Sequence, residues 1–284
     1  MKNVKNILLF VLVSTLSNLH SQTQFANEQQ LNAFLKTTTY VVLEETPFSL
    51  FNASIENVMK KHWTITPFKI ITADEFTKTN RNPQNSFIYI SLAQFSGNNS
   101  DNLNTFNILN LILGDKSGNI NKMPDIGSVP LSYEEVEDEA YAYKLGGLIM
   151  AMQYYVNYKI QHPKESIQDL AKKNVGEIKT KELWLVAKEL APDMNTLDKI
   201  KKVYPYKVKL VSEEEIEKAI EEKNTNVVFL HKISPEEAKK NSKAQCWIFI
   251  ISASDGKPLY FDQHKIDNQH PDGLLSDDFK NFAK

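Results

Sequence analysis

The feature that most constrains this chain is that it repeats itself about 140 residues apart. Lys36-Thr37-Thr38-Thr39-Tyr40-Val41-Val42-Leu43 is echoed by Lys179-Thr180-Lys181-Glu182-Leu183-Trp184-Leu185-Val186. Pro67-Phe68-Lys69-Ile70 is echoed by Pro205-Tyr206-Lys207-Val208, and Ser86-Phe87-Ile88-Tyr89-Ile90 by Asn226-Val227-Val228-Phe229-Leu230. The apolar run from Ile108 to Leu113 before Gly114-Asp115 aligns with Ile248 to Ala253 before Ser254-Asp255. The offsets are 143, 138, 140 and 140, so short insertions reconcile them. Self-similarity on this scale predicts two copies of one supersecondary unit rather than a single continuous fold.

Each copy reads as strand, helix, strand, short helix and further strands. Tyr40 to Leu43 is a β-branched run, Ile55, Val58 and Met59 recur at helical spacing, and Phe68 to Ile71 returns as a strand. Thr72-Ala73-Asp74-Glu75 and Ser212-Glu213-Glu214-Glu215 both place a hydroxyl three residues ahead of an acid, the signature of a capping box. Asp255-Gly256 between Trp247–Ser252 and Pro258–Asp262 predicts a hairpin. Its counterpart near Asp115-Lys116-Ser117-Gly118 is looser and leads into an irregular stretch from Asn119 to Pro130. Alternating helices and strands favour an α/β class, with α+β as the variant, and mixed sheets because of the terminal hairpin.

Between the copies the pattern predicts one long helix from an N-cap at Ser132 to Gln161. Its first turns are acidic, which suits the positive end of the helix dipole. From Leu145 to Tyr158 it is apolar nearly all round, which implies burial. Gly146-Gly147 lowers helix propensity there, so a neighbour should approach the backbone closely. The carboxyl end from Leu275 to Phe279 resembles the start of this helix as a truncated repeat. The implied division is a leader at 1–21, a first unit at 22–160 that includes the helix, and a second unit at 161–284.

The leader is expected from Lys2 and Lys5, the apolar run Ile7 to Leu16, and a small residue, Ser21, before Gln22. A run of roughly 10 residues has the length of a signal-peptide core, whereas a bilayer span needs about 20. The expected location is therefore periplasmic or secreted, with no membrane span. Removing the leader leaves 31 basic residues against 35 acidic, and the only arginine is Arg81. That balance argues against nucleic acid as a partner. The lone Cys246 sits in Gln245-Cys246-Trp247-Ile248-Phe249-Ile250, an apolar strand, and reads as a small buried hydrophobe.

The densest chemical cluster is Asp262, His264, His270 and Asp272. Asp262 and His264 share one face of a strand, and carboxylate with imidazole suits a divalent metal. The spacing matches no defined metal signature, and a polar strand end with a solvated turn is the favoured reading. Glu44 and Glu45 follow the first strand, but adjacent residues point to opposite sides and the repeat has Ala187 and Lys188 there. His62 ends a helix, where a histidine suits the dipole, and His231 ends a strand and aligns with Ser91, again without repeat support. No G-x-G-x-x-G, phosphate loop, G-x-S-x-G, H-E-x-x-H or C-x-x-C is present, and Gly numbers only 9 in 284. No cofactor is expected.

Tyr206 to Leu210, the Glu214 to Glu222 helix, Val227 to Leu230 and Trp247 to Ser252 with Asp255-Gly256-Lys257-Pro258-Leu259 resemble the amino-terminal α/β domain of the periplasmic Tol-system (TolB) propeller proteins. The resemblance covers under a third of the chain and includes no propeller; overall the chain is similar to secreted bacterial proteins of comparable length. It implies an envelope binding or assembly role without chemistry. The expected function is thus a non-enzymatic exported protein that takes an envelope protein or a small ligand between its two units. The alternative is an exported metal-dependent hydrolase using Asp262, His264 and His270.

Overall fold

A computed structural model of the chain describes residues 25–46, 48–95, 104–235 and 244–284. The expected leader, with Lys2, Lys5 and the cleavage point near Ser21, lies outside the described residues. The first unit runs α1 (Glu28–Phe34), β1 (Thr38–Val42), α2 (Leu50–His62), β2 (Phe68–Ile71), α3 (Ala73–Thr79), β3 (Asn85–Phe95), β4 (Asn104–Leu113) and β5 (Val129–Tyr133). A short α4 (Glu139–Ala142) leads into α5 (Leu145–Gln161). The second unit runs α6 (Ile167–Asn174), β6 (Glu182–Leu185), α7 (Leu197–Lys201), β7 (Val208–Leu210), α8 (Glu213–Glu221), β8 (Val227–Ile233), β9 (Gln245–Ser252), β10 (Pro258–Lys265) and α9 (Ser276–Ala283).

The result is an α/β fold with two mixed five-stranded sheets of the same topology. The orders are β2-β1-β3-β4-β5 and β7-β6-β8-β9-β10. In each, the first two strand pairings are parallel and the last two antiparallel. The ladders match rung for rung. Lys69, Tyr40, Phe87 and Ile112 lie side by side across the first sheet. Lys209, Trp184, Phe229 and Ile251 do so across the second.

These rungs correct the sequence alignment by one residue in β1 and β4 and by two in β2 and β3. The apolar runs match in any register, but side chains alternate between faces, so a one-residue slip exchanges the faces of a whole strand. The pairing, not the run, fixes the parity.

The predicted Ser132–Gln161 helix is also corrected. Ser132 belongs to β5, where it pairs with Asn107 and its hydroxyl accepts from Asn107 Nδ2 at 2.9 Å. The open edge of β4 offers Val129–Tyr133 a ladder, and the following acidic residues form a turn before α4. Asp138 does act at a helix start, but a different one: its Oδ2 accepts the Leu50 amide of α2 at 3.2 Å.

Both predicted capping boxes are present. Thr72 and Ser212 each accept the amide three residues on at 3.3 Å, and Glu75 and Glu215 each accept the cap amide at 2.8 Å. The β9–β10 hairpin is present too, turning at Gly256 with φ of 72°.

The helices divide in parallel. Leu31 and Phe34 of α1, Phe51, Ile55 and Met59 of α2 and the buried face of α5 fill one face of the first sheet. In the second unit, Ile200 of α7 and Phe279 and Phe282 of α9 line the corresponding face, and α6 lies along β10. Phe76 of α3 sits on the opposite face of the first sheet, as do Ile216, Ala219 and Ile220 of α8 on the second. The α8 face packs against α5, so both units share one core. The units therefore stack front to back, without a twofold axis.

Candidate functional site

Gly146 and Gly147 of α5 are where the two units meet. A Cβ on Gly146 would lie 3.0 Å from both His62 Nε2 of α2 and Ile220 Cγ2 of α8. One on Gly147 would lie 2.5 Å from Phe229 Cζ. The close approach expected from the glycine pair is thus real, with one neighbour from each unit. The hairpin tip behaves likewise: a Cβ on Gly256 would fall 2.2 Å from the Ala151 nitrogen and the Met150 carbonyl carbon. The space between the units, where a ligand groove was expected, is filled by α5 and its apolar neighbours.

His62, His231 and Cys246 each have a packing role. His62 is buried, and burial followed by the Lys223 and Lys61 charges holds its imidazole below the usual range. Trp63 donates its indole N–H to Thr66 Oγ1 at 3.1 Å and meets Phe34 edge-on. His231 Nε2 donates to the Pro130 carbonyl at 3.0 Å across the unit boundary, with its pKa pushed down to about 3 by burial and then Lys144. Cys246 is buried in the second core, where desolvation raises its thiol pKa. Glu44 accepts the Ser49 hydroxyl at 2.5 Å beside the N-cap of α2, and Glu45 is exposed.

The Asp262, His264 and His270 cluster does not close into a metal centre. Asp262 accepts from the Tyr260 hydroxyl at 3.0 Å, His264 Nε2 donates to the Pro271 carbonyl at 3.1 Å, and His270 Nδ1 lies 3.2 Å from Asp267. The two histidine rings are 6.4 Å apart, and Asp272 pairs with Lys232 at 2.6 Å. Among the described residues no three His, Cys, Asp or Glu side chains come together to hold a metal ion. His264 is taken up by the Pro271 carbonyl, His270 by Asp267 and Asp272 by Lys232.

Two groupings were not foreseen. The first is a buried ionic network at the carboxyl ends of β6 and β7, where open α/β sheets place their crevices. Lys144, fully buried just ahead of α5, is paired with Glu189 in the turn after β6. Burial lowers the Lys144 ammonium pKa and the Glu189 charge opposes the shift. Glu213 at the start of α8 adds to this field and holds Lys188 at 2.5 Å. Burial, then Glu189 and Glu213, raises the Tyr143 phenol pKa. Both charges of the central pair are removed from water, so the network acts as a tie between α5 and the second sheet. Its partners lie 45 residues apart in sequence, and no motif announces them.

The second is a groove of ≈ 520 Å³ beside β7, at the open edge of the second sheet. Lys179, Lys201, Lys207 and Lys209 line it, with Tyr206 and a single acid, Glu182. Burial pushes the Glu182 carboxyl up, but the Trp184 indole and the Lys209 and Lys207 charges outweigh it and hold the group below the usual range. Lys209 lies 3.2 Å from Glu182 and 5.3 Å from the Trp184 ring centre. Lys201 makes no ion pair among the described residues. The four lysines leave an excess of positive charge on an otherwise slightly acidic chain. In sequence they are scattered over 31 positions, which hid the patch.

No helix among the described residues is long and apolar enough to cross a membrane. No protein-family model, curated protein or solved structure matches the chain.

Proposed function

We propose that this is an exported, non-enzymatic envelope protein that binds a protein partner through an acidic segment of that partner. The observation that carries this reading is the groove beside β7, where four lysines surround one acid and an exposed tyrosine. Opposite charge at such a surface raises encounter rates and selects partners more than it adds affinity. The second unit's own core, which includes Val208, backs the groove, and the leader expected at 1–21 supports a location outside the cytoplasm.

Two measurements test the reading. Cell fractionation with intact-mass analysis should find the product lacking its first 21 residues outside the cytoplasm; a full-length cytoplasmic product would overturn export. Fluorescence anisotropy with labelled polyglutamate should show saturable binding that weakens as salt rises. The Lys201→Glu/Lys207→Glu variant should lose roughly tenfold or more in affinity. Equal affinity of that variant would remove the groove from the proposal.

A further inference from the structure

The same edge has a geometry that charge alone does not require. β7 bonds β6 on its inner side only, through Leu183 N to Lys207 O and Val211 N to Leu185 O, each 3.0 Å. Backbone groups alternate sides along a strand, so the N–H and C=O of Val208 and Leu210 point outward. No described strand lies beyond β7. Unpaired edges template further strands unless something prevents it.

Here the protection is selective. Lys207, Lys209 and Lys201 would face a second copy of themselves, so like charge disfavours pairing of this edge with another molecule of the same chain. An acidic strand meets the reverse: its carboxylates fall among the lysines, and the Tyr206 ring, 37% exposed, offers an apolar face for an alternate side chain. A surface that repels its own kind and attracts the opposite charge achieves specificity by both routes.

We propose that β7 takes up an extended acidic peptide segment as a sixth strand of the second sheet. This rests on the reading of the groove as an acid-binding surface and adds how the acid is presented. Main-chain hydrogen bonds to Val208 and Leu210 supply affinity, and the lysines select carboxylates at alternate positions, as in other strand-addition complexes.

The test uses the chain from Gln22 onward and two labelled peptides of about eight residues alternating Glu and Val, a common strand length. One has a free backbone and the other carries N-methyl groups on four consecutive amides. The free peptide should bind saturably, the methylated one roughly tenfold or more weaker, and Lys201→Glu/Lys207→Glu should weaken the free peptide by a similar factor. Equal binding of the two peptides would overturn strand addition while leaving acid binding in place. Undiminished binding by the lysine variant would place the peptide elsewhere and overturn the proposal. No saturable binding of either peptide, to protein that circular dichroism shows folded, would overturn both readings.

Discussion

The first sheet carries Lys69, Tyr40, Phe87 and Ile112 across one rung, and the second carries Lys209, Trp184, Phe229 and Ile251 across the matching one. Nearly the same chemistry meets two different fates. In the first unit the rung looks outward toward α3, and Phe76 of that helix contacts Phe87 at 5.0 Å. In the second, Phe229 and Ile251 pack in the core around α5 while Lys209 stays exposed at the sheet edge; Phe87 and Phe229 are both fully buried, but by different partners. Two residues beyond each phenylalanine stand Tyr89 and His231. Tyr89 belongs to a half-buried polar patch in which Asn110 donates to the Tyr89 carbonyl at 3.2 Å and to Ser91 at 2.9 Å. His231 instead reaches across the unit boundary. Front-to-back stacking joins two different faces, so the remaining face of each sheet is covered from within its own unit, by α3 in the first and by α7 and α9 in the second. Beyond the apolar cluster under α3, the outer face of the first sheet turns polar around Asn110 and Ser91.

The sharpest way to break this comparison is to cut the tie that only the second sheet has to α5. Lys144→Met should cost about 3–5 kcal/mol in urea denaturation, because Glu189 is left buried and unpaired. The double variant Lys144→Met/Glu189→Leu should regain most of that loss. By contrast, Glu44→Ala in the turn after β1 should cost only about 1 kcal/mol, since its bond to Ser49 is half-buried. A loss below about 1 kcal/mol for Lys144→Met would mean that water already reaches the pair.

Next in size is the contrast between the two turn glycines. Gly256 (φ 72°) meets the α5 backbone, whereas Gly118 (φ 69°) meets the Arg81 side chain, with an added Cβ 2.9 Å from Nε. Both Gly→Ala changes incur the left-handed penalty of roughly 1–2 kcal/mol. Only Gly256→Ala also forces two backbones apart, so its loss should exceed that of Gly118→Ala by about 2 kcal/mol. Equal midpoints in denaturant for the two variants would mean the hairpin tip does not bear on α5.

The polar face of the first sheet gives an effect of opposite sign. Burial raises the Asp125 pKa to about 6 from 3.8, although Ser128 donates to its Oδ1 at 2.9 Å. A carboxyl whose folded pKa is raised contributes stability that is complete below pH 3.8 and is lost as pH rises through 6. Relative to Asp125→Asn, the wild type should therefore lose about 2 kcal/mol between pH 4 and pH 7, after allowing for partial exposure. Parallel stability profiles for the two proteins across that window would show that Asp125 is well solvated. The second sheet should show no matching effect from His231, whose depressed pKa opposes acid rather than base.

Sequence disclosed the parts whose causes are local. The capping boxes, the Asp255-Gly256 turn and the close approach at Gly146-Gly147 each follow from a few neighbouring residues, and the duplication follows from runs of apolar character. Register did not, because Val41-Val42 or Val227-Val228 is equally apolar in either parity and only the partner strand decides. Ser132 looked like a cap because an acid stands three residues on; the vacant edge of β4 made it a strand residue. The Lys144–Glu189 pair and the lysine groove are assembled from segments far apart in sequence, and charge taken residue by residue reads as solvated surface. The Asp262, His264 and His270 cluster shows the converse: nearness in sequence brings residues together without aiming their side chains at one point.

The smallest expected effect probes the best-matched feature, the two capping boxes with the same bond lengths. Thr72→Ala and Ser212→Ala each remove a side-chain acceptor at a helix start, worth about 1 kcal/mol. The boxes belong to helices in opposite settings. α3 has no fully buried residue, whereas α8 places Ile216, Ala219 and Ile220 in the shared core. Loss of the Thr72 cap should therefore appear as local fraying: faster amide exchange across Ala73–Thr79, with a change in global stability below about 0.5 kcal/mol. Loss of the Ser212 cap cannot be relieved locally without opening the core around α5, so the full effect should reach the global midpoint. With no shared partners, the double variant should be additive to within about 0.5 kcal/mol. Equal global losses would instead mean that α3 is as firmly held as α8, and that the outer face of the first sheet is as much a part of the cooperative core as the face buried between the units.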